Sequence, residues 1–160
     1  MTGDLERPNR IPWPPLLYGA AILAAIGAQF VLPLGLGWIP RPFSDILFAI
    51  GWLVIAGALA LDFAAMAAMR KAQTTILPHK RSDHLVSSGP FRITRNPIYL
   101  GNTMLMIGVG LVSGIAWFIV LAFVAAFATQ KLAIEREEAH LTHRFGKPYR
   151  DYMKKVRRWI

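Results

Sequence analysis

The 160-residue chain contains no cysteine and few charged side chains. Without cysteine it can form no disulfide, thiol nucleophile, cysteine-ligated zinc site or iron–sulfur cluster. Charged residues make up 17% of the chain and hydrophobic residues 54%, whereas an ordinary soluble domain carries about 25% charged residues. A soluble globular protein is therefore disfavoured, and the length is that of one domain, residues 1–160.

Long stretches without charge predict helices that cross a membrane. No residue between Arg10 and Arg41 is charged, and residues 46–69 contain a single charge, Asp62. Residues 96–130 contain none over 35 positions. As one straight helix this last stretch would be about 52 Å long, whereas a hydrocarbon core is about 30 Å thick. We therefore expect it to fold back on itself.

The glycine-rich segment 108–114 is the expected bend, because small residues permit a tight turn and a close approach of two helices. The sequence thus predicts an all-α integral membrane protein with four transmembrane helices, the last two forming a tight hairpin, and a C-terminal amphipathic interfacial helix. The predicted segments are transmembrane helices 16–36, 46–69, 97–112 and 115–134, a cytoplasmic connection 70–96, and cytoplasmic or interfacial helices 135–160.

Two features of the apolar segments leave alternatives open. The first apolar segment could be a cleaved signal peptide, but it is longer than the usual 7–15 apolar residues of such a peptide. Asp62 is costly inside a membrane, by roughly 3 kcal/mol on insertion scales. It either faces the helix bundle or has a functional role, or it lies near the interface, where it caps a helix or reaches toward water.

The basic residues predict the orientation in the membrane. With four crossings, 17 of the 18 lysine and arginine residues lie on one side. The excess of positive charge on the cytoplasmic side then places both termini and the connection in the cytoplasm. Because this pattern accounts for the net charge of +9, no nucleic-acid partner is needed.

The polar candidates form two blocks on that side, residues 83–101 and 137–152, which the hairpin would bring together. A carboxylate beside aromatic faces suits a cationic ligand that also carries a purine. Glu137 and Glu138 are about 100° apart around a helix, so one can face a pocket while the other faces solvent. The alternative is an ordinary interfacial loop with a solvated glutamate pair.

The spacing of these blocks is specific. Gly-Pro-Phe-Arg-x-x-Arg-Asn-Pro-x-Tyr-x-Gly runs from Gly89 to Gly101, and Glu-Glu-x-x-Leu-x-x-x-Phe-Gly-x-x-Tyr-x-x-Tyr from Glu137 to Tyr152. The pair resembles the isoprenylcysteine carboxyl methyltransferase family and its phospholipid methyltransferase relatives, over roughly residues 74–156. The resemblance implies an S-adenosylmethionine-dependent membrane enzyme, with S-adenosylhomocysteine as product. The apolar segments favour a lipid or lipid-linked acceptor, and the distribution of basic residues places the reaction at the cytoplasmic face.

The resemblance and the motif chemistry together nominate site residues. The predicted cofactor-binding residues are Asp83, His84, Leu85, Val86, Gly89, Phe91, Asn96, Pro97, Ile98, Tyr99 and Glu137. The predicted catalytic candidates are Arg95, Asn96, Tyr99 and Glu138, where Tyr99 or Glu138 would act as a base if the acceptor must lose a proton. No metal site is predicted, because His140 and His143 share a helix face without a third ligand.

Two departures from the family pattern concern the substrate. Asn96 replaces the more usual histidine, so it can supply hydrogen bonds but not shuttle protons. Ala133 stands where the eukaryotic prenylcysteine enzymes have an arginine for the substrate carboxylate. An NADPH-dependent sterol-reductase-like enzyme and a non-enzymatic membrane scaffold are the alternative functions. The sequence leaves the acceptor and the oligomeric state open.

Overall fold

The computed structural model of the protein describes residues 12–72 and 85–160. In these ranges the chain forms six α-helices and two isolated β-bridges, with no sheet. The helices are α1 (Trp13–Val31), α2 (Phe43–Lys71), α3 (Pro97–Ser113), α4 (Ala116–Thr129), α5 (Glu135–Phe145) and α6 (Lys147–Lys155). A 3-10 helix, Gly89–Arg92, precedes α3, and a π-helical segment, Gln130–Ile134, joins α4 to α5.

Three helices are long and apolar enough to cross a membrane. They are α1, α2 and the continuous 30-residue helix Ala116–Phe145, which comprises α4, the π-helical segment and α5. The remaining apolar helix, α3, is shorter at 17 residues. The predicted all-helical membrane architecture is therefore present in the described residues.

The bundle has small side chains inside and large ones outside. Helices α3 and α4 are central, with α2 packed on α3 and α1 packed on α4. Fully buried positions include alanines 25, 58, 65 and 122, whereas phenylalanines 30, 63, 123 and 127 are exposed. Lipid tails solvate large apolar side chains, and helices approach most closely through small ones. This distribution is that of a bundle surrounded by lipid.

Glycines bring α2 and α3 into contact along their backbones. A Cβ atom placed on Gly108 would lie 2.7 Å from Ile55 Cγ1 and 2.9 Å from the Gly51 carbonyl oxygen. One placed on Gly101 would collide with the Asp62 carboxylate. Asp62 therefore faces the bundle at the α2–α3 interface, the first of its two predicted positions.

The α3–α4 hairpin turns at Gly114, which has a left-handed φ of 71°. Residues 34–36, which follow α1, form backbone hydrogen bonds with this turn. Leu36 N donates to the Gly114 carbonyl oxygen at 2.7 Å, and Ala116 N donates to the Leu34 carbonyl oxygen at 2.9 Å. The charge-free stretch thus folds back, as its length required, so that the start of α3 and the end of α4 lie at the same end of the bundle.

Among the predicted helix bounds, two C-terminal ends differ from the structure by several residues. The first helix was expected over 16–36 but ends at Val31, because proline at position 33 disfavours helical backbone in the residue before it. Helix was also expected to the C-terminus, but α6 ends at Lys155, and Val156 is extended, with φ −122° and ψ 128°. Residues beyond it pair with another segment instead of continuing the helix.

Gly108→Ala should destabilise the bundle by roughly 1–3 kcal/mol, because the added methyl group overpacks a backbone contact. Gly27→Ala is the matched control, since no heavy atom lies within 4 Å of its Cβ position. Thermal unfolding in detergent measures both. Equal midpoints for the two variants would show that α2 and α3 are not in close contact.

Candidate functional site

A cleft lies at the end of the bundle where α3 begins and α4 gives way to α5. It encloses about 570 Å³ of space, including its open mouth. Both sequence blocks and the end of α2 contribute to its walls. The lining residues are Met69, Leu85, Val86, Phe91, Arg95, Asn96, Glu137, Glu138, Leu141, Tyr149 and Tyr152. The hairpin therefore brings the two predicted blocks together in one cleft.

Tyr99 and Glu137 connect the first turn of α3 to α5. The Tyr99 hydroxyl donates to Glu137 Oε2 at 3.2 Å. On the bundle side, the Tyr99 carbonyl oxygen accepts hydrogen bonds from the hydroxyls of Tyr18, at 3.1 Å, and Thr103, at 2.8 Å. Glu137 thus has a neutral hydrogen-bond donor for a partner, and helix α1 helps to fix the backbone that carries this donor.

Glu138, in contrast, is held by two cations. Arg158 donates to it through both Nε, at 3.0 Å to Oε1, and Nη2, at 2.7 Å to Oε2. Arg95 Nη2 lies 3.3 Å from Oε1, and the side chains of Arg95 and Glu138 are only 12% and 13% exposed. A bidentate arginine–carboxylate pair fixes the orientation of both groups. The adjacent glutamates therefore have different electrostatic surroundings.

The turn before α3 is fixed by the C-terminal segment. Arg95 N donates to the Arg157 carbonyl oxygen at 3.0 Å. Asn96 Nδ2 and Thr94 Oγ1 both donate to the Arg158 carbonyl oxygen, at 3.0 and 3.1 Å. The Asn96 side-chain amide thus holds the C-terminal segment in place, and Asn96 is the N-cap residue directly before α3.

Aromatic residues form the opposite wall. The Tyr152 hydroxyl donates to the Phe91 carbonyl oxygen at 2.6 Å. Tyr149 is 2% exposed, and its ring centroid lies 6.0 Å from that of Tyr152. Burial disfavours the phenolate, which raises the pKa of Tyr152 to about 12 and also raises the pKa of Tyr149. Both tyrosines are therefore neutral donors at physiological pH.

Other predicted site residues shape the backbone around the cleft. Gly89 starts the 3-10 helix with a left-handed φ of 59°, and Pro97 and Ile98 start α3. Asp83 and His84 lie outside the described residues. The described residues contain no group of three His, Cys, Asp or Glu side chains able to hold a metal ion.

Five residues of this site were not named among the predicted cofactor-binding or catalytic residues. Leu141, Tyr149 and Tyr152 belong to the second motif, whose spacing could have nominated them as cleft residues. Met69 and Arg158 had no such signal. Arg158 lies in the segment predicted to be helical, but α6 ends before it and its side chain pairs with Glu138.

A comparison with protein families identifies the family of this chain. The family model of phospholipid methyltransferases matches residues 46–148, which is more than half of the sequence. The chain belongs to the phospholipid methyltransferase family. The resemblance derived from the two motif blocks is confirmed. No curated protein matches the chain.

Membership in the phospholipid methyltransferase family supports methyltransferase activity on a lipid-like substrate and, with the apolar helices, an integral membrane protein. Members of this family generally use S-adenosylmethionine. The match includes both glutamates and the Arg95–Tyr99 turn. Tyr149, Tyr152 and Arg158 lie after it, so the contribution of the C-terminal segment to the cleft emerges from the structure.

Tyr152→Phe should lower stability by about 0.5–1.5 kcal/mol at neutral pH, because the Phe91 carbonyl oxygen loses its donor. The folded-state pKa of Tyr152 is raised from 10.0 to about 12. Between these values the folded state binds more protons than the unfolded state, so stability falls as pH rises. Unfolding measured across this range should show a shallower fall in the variant. An equally steep fall would contradict this role for Tyr152.

Proposed function

We propose that this protein transfers a methyl group from S-adenosylmethionine to a phospholipid-like acceptor at the cytoplasmic face of the membrane. The observation that carries the proposal is the cleft in which Tyr99 donates to Glu137, since it joins the two family motifs. The clustering of basic residues supports the cytoplasmic orientation. This orientation requires four crossings, and the 17 residues of α3 reach the lower limit of about 17–25 for a spanning helix.

The chemistry of the cleft fits the cofactor. Glu137 offers a carboxylate for an ammonium group, and Phe91 and Tyr149 offer aromatic surface for an adenine or a sulfonium. Arg95 Nε is buried and has no hydrogen-bond partner among the residues that the structure describes. An unsatisfied donor on a charged group is costly, and a ligand carboxylate would satisfy it. We therefore assign the amino-acid part of S-adenosylmethionine to Glu137 and Arg95.

The bound cofactor would supply an electrophilic methyl group, and the residues of this chain would orient the reactants. Displacement at a methyl group depends chiefly on alignment. For an acceptor that must lose a proton, we propose Tyr99 as the base: its oxygen takes up that proton as its own hydroxyl proton passes along the hydrogen bond to Glu137. Glu138, the other predicted base, has both oxygens in contact with arginines, so in this proposal it orients Arg95.

The acceptor is proposed to be phospholipid-like and not an isoprenylcysteine carboxylate. Ala133, at the position of the expected carboxylate-binding arginine, is fully buried in the π-helical segment. It therefore offers no cation to an acidic substrate. A lipid acceptor would approach from the bilayer, while the cofactor enters from the aqueous side.

Glu137→Gln should abolish saturable binding of S-adenosylhomocysteine, since the amide cannot neutralise an ammonium group. Isothermal titration of detergent-purified protein measures this binding, with NADPH titrated in parallel. Asp151→Asn, on the exposed side of α6, makes the same carboxylate-to-amide change away from the cleft. It should bind like the wild type. Binding of NADPH in place of S-adenosylhomocysteine, or no binding by folded wild-type protein, would refute the proposed function.

A further inference from the structure

The last five residues, 156–160, form a segment that follows α6 and pairs with the turn before α3. Thr94 and Arg157 form a parallel β-bridge. The Trp159 indole donates to Gln130 Oε1 at 2.8 Å, which ties the segment to the π-helical part of the long helix. Val156 is buried at its start. The C-terminal segment is thus bound both to the turn before α3 and to the long helix.

Within this segment, neighbouring arginines have different surroundings. The Arg157 side chain is exposed, and its main-chain carbonyl oxygen accepts a hydrogen bond from Arg95 N in the turn before α3. The Arg158 side chain is 30% exposed and reaches Glu138, which is 13% exposed. One charge faces solvent, and the other lies beside the cleft.

We infer that Arg158 is a positioning residue that separates the roles of the two adjacent glutamates. It holds Glu138 in a bidentate pair next to Arg95, so that Glu137 is the carboxylate available to the ligand. This inference rests on the proposed function, because the ligand is the cofactor proposed there. No family motif assigns this role, since Arg158 lies beyond the matched residues.

The positive charge of Arg158 affects the positions of Glu138 and Arg95. Without Arg158, the cation that Glu138 keeps among the described residues is Arg95, at 3.3 Å, and Glu138 becomes free to rotate. It would then draw the Arg95 guanidinium away from the ligand and place a second negative charge beside Glu137. A displacement of about 1 Å in a positioned group can cost as much as about 100-fold in function.

The test compares Arg158→Gln with Arg157→Gln, which removes the same charge one residue earlier and keeps the main-chain hydrogen bonds. Titration with S-adenosylhomocysteine should give a dissociation constant for Arg158→Gln about tenfold higher than that of the wild type. Arg157→Gln should match the wild type. Arg158→Lys should be intermediate, because lysine keeps the charge but loses the two-pronged geometry.

The double variant Glu138→Gln/Arg158→Gln distinguishes positioning from general stabilisation. It removes the carboxylate that Arg158 would otherwise hold, so it should bind more tightly than Arg158→Gln alone. A purely structural role predicts binding no better than that of the single variant. If Arg158→Gln does not fold, the same comparison is made with Arg158→Lys against Arg157→Lys.

Each outcome has a separate meaning. Equal affinities of the Arg157 and Arg158 variants, or a double variant that binds no better than Arg158→Gln, would overturn this inference while wild-type binding upholds the proposed function. No binding by folded wild-type protein would overturn the proposed function and this inference with it.

Discussion

The site must accommodate two adjacent carboxylates, Glu137 and Glu138, at the polar end of an apolar helix. Like charges so close together must be separated or neutralised where water is scarce. Glu137 receives a hydroxyl donor from Tyr99, and Glu138 receives two guanidinium groups. These partners come from the start of α3 and from the C-terminus, so the site requires both to reach the same end of the bundle.

The bundle meets this requirement through close packing of small residues. Contacts at Gly51 and Gly108 hold α2 against α3, and the turn at Gly114 returns the chain toward the cleft. The π-helical segment then continues the helix without a break, so that its apolar part sits in the bundle and its polar part in the cleft. A single continuous helix thus connects the lipid-facing region to the proposed cofactor site.

Much of this organisation could be predicted from the sequence. Charge-free stretches predicted the apolar helices, and the two motif blocks predicted the family and most of the cleft, including the residues of the Tyr99–Glu137 pair. The end of α1 was misplaced because hydropathy continues past the point where Pro33 ends the helix. The C-terminus was misplaced because its apolar spacing is also helical, although its backbone pairs with the turn at Thr94.

The sequence alone determined the membrane setting and the family, because lipid requires long uncharged segments and the motifs have a specific spacing. Only the tertiary structure decided which partner or surroundings each charged side chain has. Asp62 faces Gly101, Arg158 pairs with Glu138, and the side chain of Arg157 faces solvent. Composition cannot distinguish neighbouring arginines, since their surroundings depend on which distant segment the chain folds against.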